Sequence, residues 1–208
     1  MTLLLNKRGK LTIITGPMFS GKTEELLRRI SRAQYAKKNF LIFKPSLETR
    51  YSASEIVSHS NNKVTTISIN KSKEIYDYLK KKHEIEAIFI DELHFFEPQI
   101  VKNLNKLAKL GYLVTAAGLD QDFRGRPFEN TALLLSLAEK VIKLTSICLI
   151  CRQKANMTQR LINGQPALIT DPIILLGGGE IYEARCRSCH LVNKLTASIS
   201  MGKKINWS

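Results

Sequence analysis

Gly16-Pro17-Met18-Phe19-Ser20-Gly21-Lys22-Thr23 satisfies the G-x-x-x-x-G-K-[ST] pattern at every position. It stands between an apolar run with strand character, Leu11-Thr12-Ile13-Ile14-Thr15, and a helical stretch from Glu24 to Ala36. No other stretch restricts the fold as much. Such a loop curls its backbone N–H groups around phosphate oxygens at the positive end of a helix, so a strand must end and a helix begin within a few residues. Glycines permit the curl. Lys22 would then reach the β/γ-phosphate oxygens of a nucleoside triphosphate, and the Thr23 hydroxyl would ligate magnesium.

The rest of the chain repeats the alternation of short apolar runs with helical patterns that marks a parallel sheet. Asn39 to Lys44 reads as a strand stopped at Pro45, Lys71 to His83 as a charged helix, and Glu86 to Ile90 as a buried strand. Pro98 suits a helix start, and Ile100, Val101, Leu104, Leu107 and Ala108 recur at helical spacing until Gly111, which makes them core. Tyr112 to Gly118 is a further strand, Asn130 is placed to cap a short helix through Ala138, and Lys140 to Leu144 closes the series. The expected fold class is therefore α/β: a phosphate-loop, RecA-like, mostly parallel sheet flanked by helices, with a small C-terminal zinc-binding domain.

The strand Glu86–Ile90 runs straight into Asp91-Glu92. An acidic residue at such a strand end can hold the magnesium that bridges the phosphates. Successive strand side chains point to opposite sides, so Asp91 can face the metal while Glu92 faces the attacking group as its base. Whether that group is a substrate hydroxyl or water decides between a kinase and an ATPase. Phe95, Phe96, Phe123, Phe128 and Tyr182 fall in loops at or beyond strand ends, where the site of an open α/β sheet belongs.

Cys148-Leu149-Ile150-Cys151 and Cys186-Arg187-Ser188-Cys189 hold all four cysteines of the chain. Two C-x2-C pairs favour a tetrahedral zinc with four thiolate ligands, structural because no position is left open. Cys186 to His190 also matches the C-x-x-C-H haem-attachment pattern, but that reading leaves the other pair unexplained. A redox dithiol would call for a βαβ context, and disulfides are disfavoured in a reducing compartment. His190 reads as a neighbour of the site rather than a ligand. The 34 residues between the pairs (152–185) must form an excursion pinned at its base. The change of character beyond Thr145 divides the chain into a nucleotide-binding domain (1–145), a zinc-binding domain (146–192) and a tail (193–208) without clear pattern.

The chain carries a net charge of +14, which raises the question of nucleic acid. Lys71, Lys73, Lys80, Lys81, Lys82, Lys102, Lys106 and Lys109 are spread over the solvent faces of two helices and not interleaved with aromatics, so a solvated surface is the better reading. Neither a secretory leader nor a membrane span is visible, and a cytoplasmic location is the expectation.

Together with Lys44-Pro45, Arg50-Tyr51-Ser52, Phe95-Phe96, Gly118-Leu119-Asp120 and Pro127-Phe128, these motifs resemble the thymidine kinase family of the zinc-containing type (type II) over roughly residues 10–190. The resemblance implies transfer of the ATP γ-phosphoryl to the 5′-hydroxyl of thymidine, or of deoxyuridine. It assigns catalysis to Glu92, Lys22 and Arg50, and ATP binding to Gly16, Pro17, Met18, Phe19, Ser20, Gly21, Lys22, Thr23, Asp91, Glu92, Leu93 and His94. Magnesium would sit with Thr23 and Asp91, and zinc with Cys148, Cys151, Cys186 and Cys189.

Met18, Phe95, Leu119, Phe123 and Phe128 would wall the thymine pocket. Ile173, Ile174, Leu175, Leu176 and Gly177 would form a lasso that reads the base through its backbone, with Tyr182 near the sugar. A homotetramer and feedback inhibition by thymidine triphosphate are also implied, and no membrane or nucleic-acid partner. The chain departs from the family at Leu93, where a small residue is usual, at His94, where Gln is usual, and at Glu48, where Asp is usual. The rival from another class is a zinc-bearing, nucleic-acid-stimulated ATPase.

Overall fold

The computed structural model describes residues 8–46, 55–57, 63–82, 84–173 and 180–193. In chain order its elements are β1 (Lys10–Thr15), α1 (Lys22–Tyr35), β2 (Phe40–Pro45), β3 (Glu55–Val57), β4 (Lys63–Thr65), β5 (Ile67–Ile69), α2 (Glu74–Lys81), β6 (Ala87–Ile90), α3 (Gln99–Lys109), β7 (Leu113–Gly118), α4 (Glu129–Leu137) and β8 (Lys140–Lys143). Then follow β9 (Ser146–Ile147), β10 (Lys154–Ala155), β11 (Met157–Ile162), β12 (Gln165–Pro166) and β13 (Glu180–Arg185).

Six strands form one parallel sheet in the order β5-β2-β6-β7-β1-β8. Alternating side chains divide its core. Leu11, Ile13, Leu41, Phe43, Ile88, Ile90, Val114 and Ala116 pack on one face against Ile75 of α2, Ile100, Leu104 and Leu107 of α3 and Leu134 of α4. Ile14, Ile42, Phe89 and Ala117 pack on the other against Leu26, Leu27, Ile30 and Ala33 of α1. Each fully buried aliphatic side chain contributes about 1.5–3 kcal/mol, so packing against helices on both faces is what stabilises the sheet. The lysines of α2 and α3 are exposed, as their helical spacing requires.

Two local expectations change. The charged helix begins at Glu74 rather than Lys71, because the residues before it are used differently. Ser72 is buried and gives its N–H and hydroxyl to Glu97 Oε1, while Glu74 Oε1 accepts the N–H groups of Asn70 and Lys71. Asn130 does not cap α4. It lies inside the helix, and its Nδ2 donates to the Phe96 carbonyl at 2.6 Å, fastening α4 to the turn after β6.

The excursion between the cysteine pairs is a sheet: β11 pairs antiparallel with both β12 and β13. β9 and β10 form a separate short hairpin beside it. The tail from 194 onward lies outside the described residues.

Gly118 ends β7 where the backbone after β6 crosses it. A Cβ there would stand 2.9 Å from Leu93 Cβ and 3.2 Å from the His94 nitrogen. Neither is the loose end of a flexible chain, so Gly118→Ala should cost about 1–3 kcal/mol through overpacking. Urea unfolding of the variant against the parent measures it; an unchanged midpoint would show that the turn simply moves aside.

Candidate functional site

β1, β6 and β7 end at one edge of the sheet, and the chemistry-bearing residues lie there. The loop after β1 curls through Gly16 at φ 151° and Gly21 at φ 82°, and even Phe19 takes a left-handed φ of 62°. Gly16 has a packing reason besides, since a Cβ would meet the Leu144 carbonyl oxygen at 2.6 Å. Pro17 supplies a carbonyl that accepts both Lys22 Nζ, at 2.7 Å, and the Ser20 hydroxyl, at 2.8 Å. Burial lowers the Lys22 pKa, against the opposing charges of Glu92, Asp91, Asp120 and Glu24. Phe19 is 64% exposed. Thr23 is half-buried on the first turn of α1.

Asp91 follows β6 and is buried; burial raises its pKa, while the Glu92 N–H that donates to its Oδ1 at 3.0 Å pulls the other way. Glu92 sits at a left-handed φ of 51°, which turns the chain out of the strand and swings the next carboxylate toward the cleft. Its side chain keeps 47% of its surface open, yet the protein around it, and Asp91 next, raise its pKa to about 7. The two adjacent carboxylates differ in exposure, but burial raises both, and they titrate as a coupled pair.

Leu93 is fully buried in the core, so only its backbone can serve the cleft. His94 is also buried, its ring centre 4.0 Å from that of Phe95 and 4.8 Å from that of Phe128. Its Nδ1 accepts the Leu119 N–H at 3.2 Å. Burial first, and Lys22 second, push its pKa down to about 3, so the ring is neutral. The structure therefore brings Phe95, Phe128 and Leu119 together around His94. Phe96 instead belongs to the core.

The C-terminal module docks on this edge. Thr158 of β11 accepts the Met18 N–H at 3.0 Å, binding the phosphate loop to the second sheet. Phe123 is buried, with the Arg160 guanidinium 3.7 Å and the Arg124 guanidinium 5.0 Å from its ring centre. Arg160 is itself wholly buried and donates to the Pro172 carbonyl at 2.7 Å, beside Ile173, while Arg124 donates to the Asp171 carbonyl. Phe123 is thus pinned in place, and Ile173 is 44% exposed. Tyr182 is half-buried on β13, opposite Arg160 in register. Arg50, Ile174, Leu175, Leu176 and Gly177, and the departure at Glu48, lie outside the described residues.

Sequence reasoning missed Thr158, Arg160 and Arg124. Nothing in Met157-Thr158-Gln159-Arg160-Leu161-Ile162 sets Arg160 apart from a solvated strand residue, and only the docking of the sheet buries it.

The four cysteines converge. Their sulfurs lie within 4.8 Å of one another, Cys151 and Cys186 at 3.6 Å. Neighbouring sulfurs around a tetrahedral zinc with bonds of about 2.3 Å stand about 3.8 Å apart, so the set fits a metal. Backbone N–H groups, led by that of Cys151, hold the Cys148 thiol down to about 6, and the Cys189 amide lowers Cys186, whereas the crowded neighbouring sulfurs raise Cys151 and push Cys189 up to about 12. His190 is outside the cluster; its Nε2 pairs with the Phe123 carbonyl at 2.8 Å. Among the described residues no helix is long and apolar enough to cross a membrane.

Residues 9–190 match the family model described as "TK: Thymidine kinase". Similar solved structures include an ATPase domain, with 15% identity, a TM-score of 0.47 and coverage of 67% of this chain and 70% of that one. A DnaB-like replicative helicase, from a structure titled with its interactions with primase, gives 13% identity and a TM-score of 0.46 over 65% and 46% of the two chains. The Pif1 helicase from Candida albicans gives 16%, 0.41, 69% and 40%.

Glu92 has a consequence for stability. Its carboxyl holds a proton in the folded protein up to about pH 7 but only to about 4.5 in the unfolded chain, so its contribution is full below 4.5 and lost as pH rises to 7. Glu92→Gln, neutral in both states, should gain stability over the parent across that window and stay level below it. Urea midpoints at several pH values test this; a difference independent of pH would contradict it.

Proposed function

The chain belongs to the thymidine kinase family, and on that premise we propose that it transfers the γ-phosphoryl group of ATP to the 5′-hydroxyl of thymidine. The observation that carries this reading is the pairing of Glu92, a carboxylate of pKa about 7 that opens on the cleft, with Lys22 of the phosphate loop. A base of that strength suits removal of a hydroxyl proton near neutral pH. Lys22 exchanges the Pro17 carbonyl for a phosphate oxygen when the triphosphate arrives. With Arg50 it then balances charge on the group in transfer.

Gly16 to Thr23, with the backbone of Asp91 to His94, cradle the nucleotide. Thr23 and Asp91 offer hard oxygen donors that fit magnesium, which when bound neutralises the phosphate oxygens. Met18, Phe95, Leu119, Phe123, Phe128 and Tyr182 enclose the nucleoside with the 173–177 segment. Enclosure keeps water from Glu92, which favours the sugar hydroxyl as acceptor.

The four thiolates take one structural zinc, which braces the module (146–192) that carries this wall against the nucleotide-binding part (1–145). A cytoplasmic homotetramer inhibited by thymidine triphosphate completes the reading. Deoxyuridine is a second acceptor.

Labelled ATP, magnesium and a panel of nucleosides test the activity: labelled thymidine monophosphate is expected, whereas inorganic phosphate alone, rising with added polynucleotide, would overturn it. Lys22→Ala and Glu92→Gln should each lower turnover by roughly a hundredfold or more with unchanged far-ultraviolet dichroism. Elemental analysis should find one zinc per chain, and Cys186→Ser should lose it with a clear fall in Tm; full metal content and Tm in that variant would remove zinc from the account.

A further inference from the structure

Phosphoryl transfer leaves the His94 side chain without a task, yet its placement is specific. The side chain is 1% exposed and neutral. Because Nδ1 accepts the Leu119 N–H, the single ring proton must be on Nε2. That buried N–H has no hydrogen-bond partner among the described residues, and the polar group it faces is Glu92 Oε2, 3.6 Å away. A buried donor left unpaired is costly, so the arrangement calls for an acceptor. Glu92 can supply one: its side chain is half-exposed, and a shift of about half an ångström brings Oε2 within hydrogen-bond length.

We propose that His94 is a positioning residue for Glu92: its Nε2–H donates to Oε2 and thereby aims Oε1 at the acceptor hydroxyl. The inference rests on the kinase reading for the identity of that hydroxyl, though not for the contact itself. A neutral donor suits the task. A lysine or arginine in the same place would hold the carboxylate more tightly but lower its basicity, whereas imidazole orients it and leaves it able to take a proton. The ring is in turn fixed by the Phe95 and Phe128 contacts and by the Leu119 N–H, and Gly118 leaves room for it, since a Cβ there would lie 3.3 Å from Nδ1.

His94→Phe keeps the ring and removes the donor; His94→Gln restores a donor on a different frame. With ATP and thymidine, His94→Phe should lower kcat by about 10- to 100-fold, with both KM values within about threefold, and His94→Gln should recover most of the loss. A rise in either KM with kcat preserved would mean that Nε2–H faces substrate, and equal losses in both variants would mean that the donor is irrelevant; each overturns the proposal.

Nitrogen-15 spectra of imidazole-labelled protein supply a second arm without substrate. The His94 Nε2–H resonance should be present and should move on Glu92→Gln; an unmoved resonance also overturns it. A parent protein that phosphorylates no nucleoside defeats the kinase assignment, while the spectra still decide the contact.

Discussion

The candidate site depends on one spacing, set by β7. This strand lies between β1, which delivers the phosphate loop, and β6, which delivers Asp91 and Glu92, so the phosphate-binding and acidic groups stand two strands apart. The Thr15 hydroxyl donates to the Gly118 carbonyl at 3.0 Å and ties the ends of β1 and β7 together. On its other side Gly118, having no side chain, lets the turn through Leu93 and His94 lie against it. A parallel sheet fixes strand separation far more strictly than a loop could, so Lys22 and Glu92 inherit their relation from the ladder of backbone hydrogen bonds.

The second module completes the edge by contact rather than by continuity of sheet. Thr158 takes up a phosphate-loop amide, His190 holds the Phe123 carbonyl, and Arg160 spans from Phe123 to the Pro172 carbonyl. A wholly buried guanidinium is expensive to desolvate and is retained only where several partners fix it. Here its partners are the Phe123 ring, the Pro172 carbonyl and the Asp171 carboxylate, 3.8 Å from one guanidinium nitrogen. The four-cysteine knot stands at the base of the same module, where Cys148, Ala155 and Ala184 form a core too small to hold a sheet without a cross-link.

How much of this is legible in the sequence follows from the range of the forces involved. Local and periodic features read well: the strand–loop–helix around Lys22, the core stripe of α3, the strand ending in Asp91 and the paired cysteines each need only neighbouring residues. What depends on docking does not. Asn130 has the chemistry of a cap, yet tertiary contact with Phe96 claims its amide. Lys71 to Lys73 continue a helical pattern, yet Glu97 from another element draws Ser72 out of it. The left-handed turn at Glu92 is invisible in composition because it is imposed by the close packing at Gly118 and is not favoured by glutamate.

The electrostatics of this edge follow first from burial and then from the closeness of its charges. Asp91 and Glu92 are adjacent carboxylates that titrate as a pair; Lys22 acts on both, and Lys44 on Asp91 as well. Burial moves all three toward their neutral forms, and the ammonium groups of Lys22, near both carboxylates, and Lys44, near Asp91, offset this only in part. Both carboxylates are raised, Asp91 by burial and Glu92 by burial and by Asp91 beside it, the latter to about 7. An ordinary glutamate, ionised from about pH 4.5, would be the weaker proton acceptor by more than two powers of ten in equilibrium constant. A third charge would undo this balance, and His94, pushed down to about 3, adds none. The same confinement that raises the Glu92 carboxyl therefore keeps the ring beside it neutral.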